Sequence, residues 1–124
     1  MRDVKLYLLD IIEAMSAIER FVEGIDFEAF KNDDMRSSAV IRKFEIIGET
    51  AKNIPEKIRR LKPEIPWKEM AGFRDRLIHF YFGIQHELVW STIKNRIPII
   101  KPFLEKIVEE MERGNPDSPR ETPC

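Results

Sequence analysis

The chain reads as an all-α antiparallel bundle of four to five main helices, and three observations predict it. Apolar residues recur at alternating spacings of three and four through its long segments, which places one apolar stripe on each helix. No stretch alternates apolar and polar residues as a half-buried strand does, and no repeat appears. Prolines and glycines fall largely between the stripes, so the connections are short.

The first stripe is Val4, Leu8, Ile11, Met15, Ile18, Val22 and Ile25. Asp3 suits the cap of this helix, and Gly24 helps to end it. Asp26 to Phe30 reads as a single capped turn with two Phe rings to bury. Asn32, Asp33 and Asp34 then offer caps for a second long helix, striped by Val40, Phe44, Ile47, Ala51 and Ile54. Glu45 and Glu49 lie one turn apart on it. Without a histidine beside them they read as a solvated face, or as partners for Arg42, rather than as metal ligands.

Pro55 suits the start of a short helix, Glu56 to Leu61. Lys57, Arg59, Arg60 and Lys62 form the one dense basic cluster, the best local candidate for contacts to a phosphate backbone. Pro63 and Pro66 bracket an extended link. The next helix starts at Pro66-Trp67 and is expected to run to Gly83, with Trp67, Met70, Phe73 or Arg74, Leu77 and Ile78 inward. Gly72 inside it permits a kink or a close backbone approach. Val89, Ile93, Ile97, Ile100, Leu104, Ile107 and Met111 form the last stripe, with a kink or break expected at Pro98. The helical domain therefore covers residues 1–113. Residues 114–124 hold three prolines and no apolar stripe, and are expected to be a disordered tail.

With 124 residues the chain holds one core and not two. Its 21 Lys and Arg against 22 Asp and Glu leave almost no net charge, which excludes a bulk nucleic-acid coat but not a local basic patch. No apolar run approaches the roughly 18 residues that span a membrane. The first residues lack the pattern of a signal peptide, so the expected compartment is the cytoplasm. The lone cysteine, Cys124, has no disulfide or metal partner in the chain.

Chemistry concentrates between Gly72 and Gly83. Arg74, His79 and Tyr81 bring a permanent charge, a proton-transfer group and a phenol within eight residues. The Arg guanidinium is a planar fork of donors that suits a phosphate. This set can cleave a phosphodiester with no metal and no cofactor. On a continuous helix Arg74 and Tyr81 would share a face, while His79 would point about 140° away at roughly 100° per residue. One copy would not close around a phosphate, so a symmetric dimeric site is expected. Asp75, four residues before His79, would stack on the imidazole and orient it.

Ordered segments along the chain resemble the HEPN superfamily, specifically the HepT-like toxins paired with a minimal nucleotidyltransferase, MntA. They are Arg42-x-x-Glu45-Ile46-Ile47-Gly48-Glu49-x-Ala51, Pro63-Glu64-Ile65-Pro66-Trp67, Gly72-Phe73-Arg74-Asp75-Arg76-Leu77-Ile78-His79-x-Tyr81-Phe82-Gly83-Ile84, and Val89-Trp90. They cover about Arg2 to Glu110. The resemblance implies a metal-independent RNase acting as a homodimer, with Arg74 and His79 catalytic and the two motifs meeting at the interface. It also implies a cognate nucleotidyltransferase antitoxin that silences the toxin by attaching AMP to Tyr81. Two positions depart from the family pattern: Asp75 stands where Asn is common, and Gln85 where Asp usually follows Gly-Ile. Asp75 adds negative charge near the scissile phosphate.

Three accounts remain from the residues and the resemblance together. One is RNA cleavage by transesterification, with Lys57, Arg59 and Arg60 touching the RNA backbone. Another is a non-catalytic module that binds nucleotide or docks a nucleotidyltransferase. The third is a purely structural helical dimer, which predicts no phenotype from any motif change.

Overall fold

The computed structural model describes residues 3–79 and 83–114, with Ile78 and His79 described by backbone alone. The helix α1 (Val4–Phe21) starts where the Asp3 carboxylate accepts the Lys5 amide at 2.9 Å. It ends a turn earlier than its stripe, and Gly24, at φ 76°, takes the left-handed step that redirects the chain. The short α2 (Phe27–Lys31) is capped by Asp26, and α3 (Asp34–Lys52) by Asp33, each accepting a backbone N–H at 2.9 Å. Then come α4 (Glu56–Leu61), α5 (Trp67–Ala71) and α6 (Phe73–Leu77). Two-residue strands β1 (Ile78–His79) and β2 (Gly83–Ile84) follow, then α7 (His86–Asn95) and α8 (Ile97–Glu112).

The all-α class holds. The four long helices α1, α3, α7 and α8 carry the stripes, and four short ones fill the connections. α1 packs along both α3 and α8. It runs antiparallel to α8, because Lys5 pairs with Glu112 at one end and Lys101 with Glu19 at the other. Inward residues from all eight helices among the described residues form one continuous core, including Leu8, Ile11, Phe30, Phe44, Ile58, Met70, Leu77, Val89 and Leu104. The break at Pro98 falls as expected: α7 stops at Asn95 and Pro98 lies in the first turn of α8. Residues 115–124, most of the expected tail, lie outside the described residues.

One element differs from expectation. The helix expected from Trp67 to Gly83 breaks at Gly72 and ends at Leu77. Beyond it the backbone is extended, and Ile78 pairs with Ile84 and His79 with Gly83 in an antiparallel ladder. The sequence carries a physical reason. Residues 78–82 are Ile, His, Phe, Tyr and Phe, all in the weaker half of the helix scale and mostly favoured on strands. Gly83, at φ 77°, supplies a left-handed conformation that a helix interior would forbid.

Candidate functional site

Two buried side chains fix the segment that bears Arg74. Phe73 packs edge-on against Phe44 of α3, with ring centroids 5.3 Å apart, and Leu77 is buried one turn on. With Phe73 and Leu77 inward, Arg74, Asp75 and Arg76 are exposed. The neighbouring α5 lies close against α3. A Cβ at Gly48 would sit 3.3 Å from the Ala71 carbonyl oxygen, so only glycine gives that approach without displacement.

Arg74 donates through Nε to the Glu45 carboxylate at 3.1 Å. The Nη groups of Arg74 have no partner among the described residues, so the outer edge of the fork is open to an anion. Glu45 is therefore the residue that orients Arg74. Glu45 was expected on a solvated face or paired with Arg42, which forms no ion pair among the described residues. Spacing within one helix suggested Arg42; the true partner lies 29 residues away, and only the packing of α6 on α3 brings it near.

The end of α6 at Leu77 also corrects the expectation for Asp75. The four-residue stacking of Asp75 on His79 needs a continuous helix, and His79 lies on β1. The rotation that set Arg74 and His79 on different faces fails for the same reason. Arg74 and Asp75 sit on α6, and the His79 backbone follows directly on β1, tied to Gly83. Tyr81 lies outside the described residues.

Glu69 of α5 braces this segment from behind. One carboxylate oxygen accepts Arg76 at 3.2 Å and the other accepts Arg96 at 2.6 Å. The hydrogen bond from Arg96 to Glu69, and then the charge of Glu69, hold the Arg96 guanidinium above its ordinary pKa. Gln85 closes the other side: its backbone N–H donates to Leu77 O at 3.1 Å and its side chain to Arg76 O at 3.4 Å. Glu45, Glu69 and Gln85 support the site, and no sequence spacing ties them to Arg74 or His79.

The basic cluster on α4 divides. Arg59 donates to the carbonyls of Ala51 at 2.9 Å, Ile54 at 3.0 Å and Lys52 at 3.2 Å. It thus satisfies the C-terminus of α3, where orphan carbonyls and the helix dipole favour a cation. Arg60 pairs with Glu56 at the surface, and Lys62 with Glu110 of α8. Lys57 is exposed. By helical rise the cluster begins roughly 10 Å along α3 from Glu45. Among the described residues no group of three or more His, Cys, Asp or Glu side chains is placed to hold a metal.

A family model described as HepT-like, "Ribonuclease HepT-like", matches residues 11–107. The chain belongs to the HepT-like ribonuclease family. It is 52% identical over 106 residues to a "Probable ribonuclease HepT" of Thermococcus cleftensis, covering 86% of this chain and 96% of that one. A "Putative RNase" of Methanocaldococcus jannaschii is 48% identical over 111 residues, covering 90% and 96% of the two chains. Another from the same organism is 45% identical over 117 residues, covering 94% and 97%. No solved structure gives a significant match. Membership joins this HepT-like chain to a family of nucleases and agrees with the resemblance carried by its motif segments.

Proposed function

We propose that this HepT-like chain is a metal-independent RNA endonuclease that cleaves by transesterification. The observation that carries it is Arg74, held at Nε by Glu45 with its Nη edge outward, just before the strand that bears His79. His79 takes the proton of a ribose 2′-hydroxyl, or donates one to the leaving 5′-oxygen. The 2′-oxygen attacks the adjacent phosphorus, the bond from phosphorus to the 5′-oxygen breaks, and that oxygen leaves protonated. The products are a 2′,3′-cyclic phosphate and a 5′-hydroxyl. Arg74 stabilises the charge that builds on the phosphorane. Lys57 and Arg60 contact the RNA backbone nearby, whereas Arg59 contributes through the fold that presents them.

The wider setting follows the family pattern of Arg74, His79 and Tyr81. The chain acts in the cytoplasm as a homodimer in which two copies of the motif meet, with exposed apolar side chains such as Leu61, Ile99 and Phe103 offering area to bury. It is the toxin of a toxin–antitoxin pair, neutralised when a cognate nucleotidyltransferase attaches AMP to Tyr81. The added phosphate and bulk stand where RNA phosphate must sit, and Arg74 pairs with them. Among the described residues no helix is long and apolar enough to cross a membrane.

The test compares wild type with Arg74→Ala and His79→Ala on single-stranded RNA in EDTA. Each change should lower cleavage by about 100- to 1,000-fold while leaving the melting temperature unchanged. Full activity in either variant refutes the mechanism, and cleavage that EDTA abolishes refutes metal independence. Incubation with the partner enzyme, ATP and Mg²⁺ should add AMP to wild type and not to Tyr81→Phe. Neutralisation of Tyr81→Phe would leave docking as the antitoxin's only means.

A further inference from the structure

A second feature adjoins the motif and plays no part in the chemistry above. A cleft of about 570 Å³ opens between α2 and the start of α7, with Phe27, Lys31, Gln85, His86, Glu87 and Ser91 among the residues that line it. That volume falls within the roughly 300–1,000 Å³ typical of small-ligand sites. Its aromatic walls are anchored rather than loose. The His86 ring lies edge-on to the fully buried Phe30, with centroids 6.1 Å apart, and Phe27 leans on Trp90 at 6.1 Å. Phe30 and Trp90 are themselves in ring contact at 5.3 Å.

The polar lining has a mixed character. Lys31 is exposed at the end of α2 and has no acidic partner among the described residues. Gln85 and Ser91 both donate and accept, and the Glu87 carboxylate only accepts. A bare phosphate would meet Glu87 unfavourably. A nucleobase presents donors and acceptors along one edge and a flat face to a ring, and its attached phosphate asks for one cation. Aromatic side chains with an adjacent positive charge bind single-stranded nucleic acid in this way, by stacking and charge rather than base pairing.

The cleft is joined to the motif through Gln85, which lines it while bonding Leu77 O and Arg76 O. Gln85 follows β2 directly, and β2 is paired with the strand of His79. At about 3.3 Å per residue along a strand and about 5 Å across a pair, the His79 backbone is roughly 8 Å from that of Gln85. That is on the order of the separation between neighbouring nucleotides of an extended strand.

We propose that this cleft is a nucleotide subsite of the RNA substrate. It takes one base against Phe27 and His86, with its phosphate on Lys31, beside the bond that Arg74 and His79 cleave. RNA as ligand is taken from the function proposed above, so binding and cleavage are measured apart. Full-length His79→Ala is titrated into a fluorescein-labelled single-stranded RNA of mixed sequence, and fluorescence anisotropy is followed. Adding Lys31→Glu or His86→Ala should weaken binding about tenfold, and Lys31→Glu should flatten the salt dependence by about one charge. In the chain that retains His79, Lys31→Glu should raise KM by a similar factor and leave kcat within about twofold. Lys31 is an exposed side chain without an ion pair among the described residues, so this variant keeps the fold even if His86→Ala melts early.

RNA binding within about twofold of the parent in Lys31→Glu would overturn the subsite, whatever the cleavage result. Binding that falls as expected, in a chain that cleaves no RNA, would keep the subsite and overturn the nuclease function. Competition by AMP alone at micromolar concentration would reassign the cleft to a free nucleotide and overturn the RNA assignment.

Discussion

Replacing Arg59 by alanine tests whether the basic cluster serves the fold or the substrate. The side chain makes three hydrogen bonds to carbonyls at the end of α3 and just beyond it. The one to Lys52 lies at the surface, where water replaces it at little cost; those to Ala51 and Ile54 are partly buried. At about 1 kcal/mol net for each of these two, the loss is about 2 kcal/mol. Unfolding entropy of about 2.1 cal/mol/K per residue over 124 residues converts 1 kcal/mol into about 4 °C. The melting temperature should therefore fall by about 8 °C, read by circular dichroism at 222 nm. Arg59→Lys keeps the charge but not the fork, and should recover about half. Lys57→Ala and Arg60→Ala should stay within about 4 °C, since exposed pairs such as Arg60 with Glu56 contribute about 0–1 kcal/mol. A melt of Arg59→Ala within 2 °C of wild type, with RNA affinity lost as in Lys57→Ala, would show the residue to be a substrate contact and refute the capping argument.

Other changes probe the rest of the site. Glu45→Ala should lower kcat about tenfold, the equivalent of about 1.4 kcal/mol, because Arg74 loses the carboxylate that aims it; Glu45→Gln keeps an acceptor oxygen and should restore most of the rate. Equal loss in both variants would mean that charge, not aim, is what Glu45 supplies. Gly48→Val should destabilise by about 1–3 kcal/mol, because the Cβ alone meets the Ala71 carbonyl oxygen at 3.3 Å and two methyls add bulk beyond it; an unchanged melt would show that α5 can move off α3. Sedimentation equilibrium at micromolar concentration should give twice the chain mass, and a monomer there would refute the homodimer.

The long helices were legible because each buries one face, and burial writes a period of three and four into the chain. Their starts were legible too, since Asp3 and Asp33 cap by local hydrogen bonds that need nothing distant. The motif pair Arg74 and His79, proposed as catalytic, stood out by residue type and spacing. Their setting did not. The apolar pattern Trp67, Met70, Phe73, Leu77, Ile78 fits a helix to its last member, and a ladder of two residue pairs is too short to impose an alternating pattern of its own. The run of β-branched and aromatic residues from Ile78 to Phe82 was the available signal against helix, but propensity yields to pattern unless the two are weighed together. Glu45 with Arg74, Glu69 with Arg96 and Arg59 with Ala51 are tertiary pairs, 29, 27 and 8 residues apart. Each spans a chain reversal, so helical spacing could not reveal any of them.

The double use of Glu69 has a consequence for how such a site can change over time. Its two oxygens fasten α6, through Arg76, and the junction of α7 and α8, through Arg96. Everything between those points, Arg74 and His79, the paired strands and the helix bordering the cleft, forms a loop of chain closed by one carboxylate. A closed loop of that kind can be exchanged as a unit. Moving residues 69–96 into a related bundle carries both halves of the clasp along, whereas a crossover inside the loop separates Glu69 from Arg96. Recombination between relatives should therefore be tolerated at the flanks of this segment and penalised within it, which lets substrate preference drift while the bundle beneath stays fixed.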